Sequence, residues 1–183
     1  NGAAFTNEVG GTFNIATTGG FTLNAISGNN TGSFSNAGTL NKAVAGTRSV
    51  TGLTAFNNSG TVSVTSGTLQ LDSGGTHSGT FDSAAGASVL LNTGTHDLNA
   101  GAAINGLGLF QVGSATVNVN SNLATGSTLA LSNGTLQGAG NLTLNGLFNW
   151  SGGTIAGTGL LSTTGTTTLS GLNSKTLQRN WSN

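Results

Sequence analysis

The chain has 183 residues, of which only four are Lys or Arg and four are Asp or Glu, so its formal net charge at pH 7 is zero. So few charges argue against nucleic acid as a partner, which needs a basic patch, and against calcium, which needs clustered carboxylates. The absence of Cys excludes disulfides, thiolate metal sites and cysteine nucleophiles, and it is compatible with an extracellular bacterial protein. No apolar run approaches the roughly 18 residues of a membrane span, so no membrane insertion is expected.

The residue types predict an all-β protein. The chain contains 32 Gly together with many Ser, Thr and Asn, which favour turns and strands over helix interiors. Short runs such as TVSV, TLQL, TVNV, TLAL and NLTL alternate polar and apolar residues with the two-residue period of a strand, and Gly or Asn separates them. Because apolar residues recur throughout, the composition is not that of a disordered chain.

Residues 1–55 are predicted to form the first coils of a repeat, less regular than the later ones. Longer loops are expected around residues 28–32 and 43–47. The inward apolar residues assigned to these coils are Phe5, Phe13, Leu23, Phe34, Leu40 and Val50.

Residues 56–171 contain a regular repeat of about 20 residues, in which side chains predicted to point inward recur in three columns. Each column corresponds to one strand of every coil. The first column is Phe56, His77, His96, Val117, Leu136 and Ile155; the second is Val62, Phe81, Ile104, Leu123, Leu142 and Leu161; the third is Leu69, Val89, Phe110, Leu129 and Phe148.

Three strands in each coil of about 20 residues describe a single-stranded parallel β-helix, a solenoid in which each strand pairs with the equivalent strand of the next coil. Coil lengths that vary favour the right-handed form, since the left-handed form keeps a strict six-residue period. About eight coils, spaced by ~4.8 Å, would give a rod on the order of 40 Å long. Residues 172–183 depart from the repeat and are predicted to be an irregular tail or the start of a further repeat block of the same solenoid domain.

Three segments, FTNEVGGTFNI, FSNAGTLNK and FNNSGTVSV, share the motif Phe-x-Asn followed by Gly-Thr, and GGTHSGTF continues the series. With these motifs the chain resembles, from Phe5 to about Leu169, the repeat regions of giant bacterial surface proteins related to filamentous haemagglutinin and autotransporter passengers. The resemblance implies an extended right-handed β-helix exported to the cell surface. It carries no catalytic residue to this chain, because the shared motifs are turn and core positions.

The two histidines of the chain both occur in the tripeptide Gly-Thr-His and allow two interpretations. The favoured one places His77 and His96 inside adjacent coils as stacked neutral rings, with each ring nitrogen meeting a backbone group or the other ring, because burial disfavours the charged form. The other is a metal or acid-base site with Asp72, Asp82 and Asp97, although Asp97 alternates outward from His96 and the aspartates lie on different coils. The threonines before these inward residues are expected to form an outward ladder of Thr76, Thr95, Thr116, Thr135 and Thr154.

Three classes of function are open at this point. A polysaccharide-processing enzyme would need several Asp, Lys or Arg on one outer face, but no basic residue falls between Arg48 and Lys175. An ice-binding surface would use the threonine ladder, but the second outward column, from Ser78 to Ala156, is not a matching row of threonines. A neutral structural or adhesive rod fits the uncharged polar surface best.

The expected function is therefore mechanical and non-enzymatic, and it requires no cofactor. We expect an extracellular rod, on a bacterial cell surface or secreted, that is a segment of a large adhesin stalk or a fibre subunit. Asn stands at both ends and no Met begins the chain, so it is expected to be a piece of a longer protein. The expected partners are further coils of the same parent chain or end-to-end copies, since solenoid ends expose unpaired strands, and host or matrix glycans are further candidates.

Overall fold

The computed structural model describes residues 4–17, 22–23 and 32–183. Residues 28–31, which belong to the first predicted long loop, lie outside this description. The described residues form 26 β-strands and no helix. Strands pair in parallel with the equivalent strands of the next coil, and a coil takes about 21 residues, so the predicted parallel β-helix is confirmed.

The first sheet extends over the whole described solenoid, and the second covers only its N-terminal part. The nine strands of the first sheet are β1 (Ala4–Asn7), β4 (Ser33–Asn36), β7 (Ala55–Asn58), β10 (Gly75–His77), β13 (Thr95–Leu98), β16 (Thr116–Val119), β19 (Thr135–Gln137), β22 (Gly153–Ile155) and β25 (Lys175–Leu177). The five strands of the second sheet are β2 (Thr12–Ile15), β5 (Thr39–Lys42), β8 (Thr61–Val64), β11 (Thr80–Ser83) and β14 (Ala103–Asn105).

The third sheet also extends along most of the solenoid, and the fourth continues in the C-terminal coils where the second has ended. The eight strands of the third sheet are β3 (Thr22–Leu23), β6 (Thr47–Val50), β9 (Thr68–Leu71), β12 (Ser88–Leu91), β15 (Leu109–Val112), β18 (Thr128–Leu131), β21 (Phe148–Trp150) and β24 (Thr167–Leu169). The four strands of the fourth sheet are β17 (Leu123–Thr125), β20 (Leu142–Leu144), β23 (Leu161–Thr163) and β26 (Trp181–Ser182).

The strands owe their form to strict alternation along the chain. In Thr61–Val64 and Thr128–Leu131, half-buried threonine, serine or alanine alternates with a fully buried valine or leucine. Because side chains on a strand point to opposite faces in turn, every second residue enters the interior. The buried apolar residues form one continuous core, from Ile15 to Leu161. No single coil could bury its inner face alone, so each coil depends on its neighbours for stability.

The Gly-Thr pairs noted in the sequence form the corners between the first and second sheets. The backbone N–H of Thr61 donates to the Gly38 carbonyl at 2.8 Å, and that of Thr80 donates to the Gly60 carbonyl at 2.8 Å. A Cβ atom on Gly60 would lie 2.1 Å from the Gly38 oxygen, and one on Gly79 would lie 2.1 Å from the Gly60 oxygen. Only glycine lets the corners of successive coils approach this closely.

One predicted pairing is absent. The second column was expected to pass from Ile104 to Leu123, but β14 and β17 belong to different sheets and do not pair. Side-chain hydroxyls join the two coils there instead: Thr125 Oγ1 donates to the Ile104 carbonyl and Ser127 Oγ to the Gly106 carbonyl, both at 2.8 Å. These side-chain bonds join the two coils where the strand ladder is interrupted, and Ile104 and Leu123 still face the core.

Residues 172–183 contain the last two strands, β25 and β26, which pair in parallel with β22 and β23. This segment therefore continues the solenoid. Trp181 packs against the Trp150 ring at a centroid distance of 6.0 Å, and its indole N–H donates to Thr163 Oγ1 at 2.9 Å. Leu172, in contrast, is fully exposed in the corner before β25.

Candidate functional site

The inward columns named from the sequence all lie in the interior. Every one of their seventeen residues is buried, including both histidines, which have no exposed surface. The third column is also a continuous ladder, since Leu69, Val89, Phe110, Leu129 and Phe148 are partners of one another in successive strands. The columns therefore describe the core of the solenoid and contain no residue that a dissolved substrate could reach.

The first column needs a correction of register. His96 pairs with Gly75 and with Val117, whereas His77 pairs with Asn58 below and Leu98 above. The two histidines are thus offset by two residues rather than occupying the same place in adjacent strands. Gly75 takes the place assigned to His77, because a Cβ atom there would lie 1.9 Å from the Phe56 carbonyl oxygen.

The same offset changes the threonine ladder. Thr76 pairs with Asp97 and belongs to the second outward column, so its assignment to the ladder is wrong. The ladder begins at Thr95 and gains a member that the sequence did not indicate, Thr176 of β25. Its continuous members are Thr95, Thr116, Thr135, Thr154 and Thr176.

Beside this ladder, the second outward column of the same sheet continues from Thr76 into a run of acidic and amide side chains, Asp97, Asn118 and Gln137. Asn118 Nδ2 donates to Asp97 Oδ1 at 2.6 Å, and Gln137 Nε2 donates to Asn118 Oδ1 at 2.8 Å. The outer face therefore combines one row of hydroxyls with one row of hydrogen-bonded polar side chains. It is not the paired threonine surface that the ice-binding alternative would need.

The histidines contact each other diagonally across the interior. Their rings are nearly parallel, at 20°, with centroids 5.3 Å apart, and His77 Nε2 lies 3.0 Å from His96 Nδ1. His96 Nε2 lies 3.0 Å from the Thr93 carbonyl oxygen, which can only accept, so Nε2 carries the hydrogen of a neutral His96 ring. His96 Nδ1 is then an acceptor, and His77 Nε2–H donates to it.

One ring nitrogen departs from the expectation. His77 Nδ1 is buried and has no hydrogen-bond partner, whereas the sequence predicted a partner for every ring nitrogen. Burial, and to a smaller extent the neighbouring His96, lowers the pKa of His77 to about 3. Burial also lowers the pKa of His96, against opposing contributions from the Thr93 carbonyl and the Asp97 charge. With both pKa values lowered, the pair is neutral at pH 7, and it has no route to a substrate.

A second buried polar array was missed at the sequence level. Asn7, Asn36 and Asn58, the last residues of the Phe-x-Asn motifs, form an inward amide ladder. Asn7 Nδ2 donates to Asn36 Oδ1 at 2.8 Å, and Asn36 Nδ2 donates to Asn58 Oδ1 at 2.8 Å. Their Nδ2 groups also donate to the carbonyls of Thr39, Thr61 and Thr80 at 3.0–3.1 Å. The repeated Phe-x-Asn spacing was the available signal, since it places each Asn in the same phase as a phenylalanine. Phe34 and Phe56 are buried in the core, whereas Phe5, also predicted to point inward, is 41% exposed.

The structure does not bring the candidate acidic residues together. Asp72 lies in the corner after β9, where it accepts hydrogen bonds from Gln70 and Asn92. Asp82 lies on β11 in the second sheet, and Asp97 lies on β13 in the first. Since these carboxylates are on three different sides of the coil, they do not form the converging pair that general acid-base chemistry requires.

Basic side chains are used to bind backbone carbonyls at the corners. Burial lowers the pKa of Lys42 and of Arg179, and the nearby Arg48 lowers that of Lys42 further. Lys42 Nζ donates to the Val44 and Ser66 carbonyls, at 2.6 and 2.5 Å; Arg48 donates to the Thr17 and Thr47 carbonyls, at 3.0 and 2.7 Å; Arg179 donates to the Gly140 and Gly159 carbonyls, at 3.0 and 2.7 Å. The hydrogen bonds to Val44 and Thr47 are local, whereas those to Ser66, Thr17, Gly159 and Gly140 connect segments about one coil or two apart. Through these longer contacts the basic side chains link neighbouring coils.

Two shallow grooves border Leu107, whose side chain is 81% exposed. One, of about 300 Å³, lies at the interruption between β14 and β17, and the other, of about 370 Å³, lies across the same corner. Neither is lined by a histidine, a carboxylate or a basic group. Serine and threonine hydroxyls line both grooves, but neither lining contains a base that could activate them as nucleophiles.

Within the described ranges, no three His, Asp or Glu side chains lie where they could hold a metal ion. No helix that could cross a membrane occurs in that part of the chain. No protein-family model, curated protein or solved structure matches this chain at a significant level. The proposal of function therefore depends on the fold and on the contacts described above.

Proposed function

We propose that this chain is a structural rod, a non-enzymatic segment of an adhesin stalk or fibre outside a bacterial cell. The observation that carries the proposal is the first sheet, in which nine strands pair in parallel along the described solenoid. A force applied along such a rod acts on every coil in series, so each junction between coils has to hold. Further coils of the parent chain or end-to-end copies are its proposed neighbours, and matrix glycans are proposed contacts of its polar faces.

Buried hydrogen bonds between coils support this role. The amide ladder links three coils through the interior. Arg179 binds carbonyls at two earlier corners through Nε and Nη2, although its Nη1 is buried without a partner. Polar groups that are buried and satisfied hold a unique register, because shifting a coil would leave them without partners in a low-dielectric interior. These contacts resist sliding as well as separation of the coils.

The distribution of charge supports a scaffold rather than an enzyme. The aspartates lie on separate sides, and the buried basic groups donate to backbone carbonyls. The Phe-x-Asn and Gly-Thr motifs that resemble surface-protein repeats lie at core and corner positions, which are the positions that build a solenoid. An extracellular position agrees with a chain that contains no cysteine.

Single-molecule force spectroscopy tests the proposal. The chain is pulled from its two ends beside a helical-bundle domain in the same polyprotein. We expect successive unravelling events of about 7 nm each, since a coil of about 21 residues extends by roughly 3.4 Å per residue, at forces above that of the helical reference. Unravelling below the force of the helical bundle would overturn the proposed load-bearing role.

A further inference from the structure

In the first sheet, the coil that contains His77 is joined to its lower neighbour by an irregular ladder. Only one partner pair, His77 with Asn58, connects β10 to β7, whereas four connect β7 to β4. The backbone N–H of Thr76 donates to the side-chain oxygen of Asn57, at 3.0 Å. Since a side chain takes the place of a backbone acceptor at Thr76, the junction relies less on strand pairing in the first sheet than the one below it does, whereas β11 and β12 of the same coil each pair with the coil below through four partners.

His77 lies at this junction without any means of accommodating a positive charge. The β7 strand presents Phe56 and Asn58 to it, and Phe81 packs edge-on against its ring at a centroid distance of 5.1 Å. The facing titratable group is His96, which would carry the same charge. Asp97 is the charged residue that influences His96, and its side chain points outward from β13.

A proton on His77 Nδ1 would also be a buried donor without an acceptor, since that atom has no partner. A charged, unpaired group in an apolar interior is strongly unfavourable. In water the same ring binds a proton readily at mildly acidic pH. Exposure of the ring and protonation of the ring therefore favour each other.

We propose that the coil containing His77 is an acid-sensitive joint in the rod, which opens locally in acid so that both buried imidazoles take up protons. The buried His77 ring, with its unpartnered Nδ1 atom, lies at the irregular ladder of the first sheet and sets where the coil opens, and the histidine pair sets the pH range. Because coils interact only with their neighbours, the C-terminal coils keep their pairing when this junction opens.

The direction and the size of the pH effect on coil opening follow from the pKa of His77 in the closed and open coil. In the closed coil its pKa is about 3, whereas an exposed ring has a pKa of about 6.5. The free-energy difference that the lowered pKa of His77 adds in favour of the closed coil is therefore fully present above pH 6.5. It is lost as the pH falls from 6.5 towards 3. At pH 4.5 the opening equilibrium of this junction should rise on the order of 100-fold through His77 alone. His96 acts in the same direction, because burial lowers its pKa too.

Amide hydrogen exchange at pH 7.0 and pH 4.5, corrected for the intrinsic rate at each pH, tests this proposal. We expect the protection of Gly75–His77 and Thr95–Leu98 to fall on the order of 100-fold in acid, while that of Thr128–Leu131 and Phe148–Trp150 changes by less than about threefold. The matched control is the double variant His77→Asn/His96→Val. Asn continues the column of Asn58, and Val repeats Val117 of the next strand.

The control should keep its protection at pH 4.5 in both regions. An equal loss in the wild type and the control would overturn the proposal, and so would a loss in the wild type that is the same along the whole solenoid. A second measurement needs no variant. Ring ¹⁵N shifts of the wild type at pH 4.5 should show neutral, Nε2-protonated rings in the closed population, and charged rings in a fully protected coil would contradict the mechanism.

Discussion

Replacement of Asn36 by alanine tests whether the buried amide ladder stabilises the solenoid. The side chain is 1% exposed and makes three hydrogen bonds. Its Nδ2 donates to Asn58 Oδ1 at 2.8 Å and to the Thr61 carbonyl at 3.0 Å, and its Oδ1 accepts from Asn7 Nδ2 at 2.8 Å. The variant leaves Asn58 Oδ1 buried without this donor, which costs about 1–3 kcal/mol, and the remaining lost contacts and cavity raise the total to about 3–5 kcal/mol.

The matched control is Asn41→Ala on β5. Asn41 also donates to another asparagine, since its Nδ2 lies 3.0 Å from Asn14 Oδ1, but that hydrogen bond is exposed to solvent. We expect its removal to change the free energy of unfolding by no more than about 0.5 kcal/mol. Urea unfolding followed by circular dichroism gives both values, with slopes compared to check that cooperativity is unchanged. Equal losses in the two variants would refute the stabilising role of the ladder.

Three further predictions concern the corners, the core and pH. Gly75→Ala should destabilise the protein by about 2 kcal/mol or more, because the added Cβ atom would lie 1.9 Å from a carbonyl oxygen. Gly126→Ala is the control: its added Cβ atom would have no neighbour within 4 Å, so the melting temperature should be nearly unchanged. Leu129→Ala should cost about 2–5 kcal/mol in urea, and Leu172→Ala, fully exposed, about 0.5 kcal/mol or less; similar costs would contradict the assigned core. The free energy of unfolding should fall by up to about 5 kcal/mol between pH 6.5 and pH 3, because the pKa of His77 is about 3 in the folded protein and about 6.5 in the unfolded chain. The melting temperatures of the wild type and of His77→Asn at the two pH values measure this effect. A wild-type melting temperature as independent of pH as that of the variant would refute it.

Most of the fold could be read from local patterns. Alternation with a period of two identifies which residues enter the core, and the spacing of about 20 residues predicts a coil. Leu69, Val89 and Phe110 illustrate this, since they are buried and are also partners in successive strands. Burial depends on the phase of each strand alone, so these positions needed no knowledge of the neighbouring coil.

The register of individual coils could not be read in the same way. A shift by two residues keeps every side chain on its face, so the hydrophobic pattern is the same for both registers. The column of inward residues could therefore place His77 beside His96, although it pairs with Asn58 and Leu98. The close approach at Gly75 decides the register, and it exists only once two coils are stacked.

For the candidate sites too, the sequence predicts which side chains point inward, and only the stacked coils decide what those side chains contact. Inward-facing neutral histidines follow from the strand phase, but the unpartnered His77 Nδ1 depends on how the neighbouring strands surround the ring. The function of the Asn in the Phe-x-Asn motif was not predicted either. An isolated strand gives no reason to bury an amide, and only the stacking of Asn7, Asn36 and Asn58 supplies each with a partner.

The sequence by itself determined the all-β class, the coil period, the inward columns and the dispersed charges, because each of these depends on residue type and on the alternation of side chains along a strand. Only the tertiary structure decided the two-residue offset at His77, the interruption between Ile104 and Leu123 and the hydrogen bonds by which basic side chains link neighbouring coils. Those features depend on contacts between residues about 20 or more positions apart. The distance between such residues is set by corner geometry, which the pattern of a single strand does not contain.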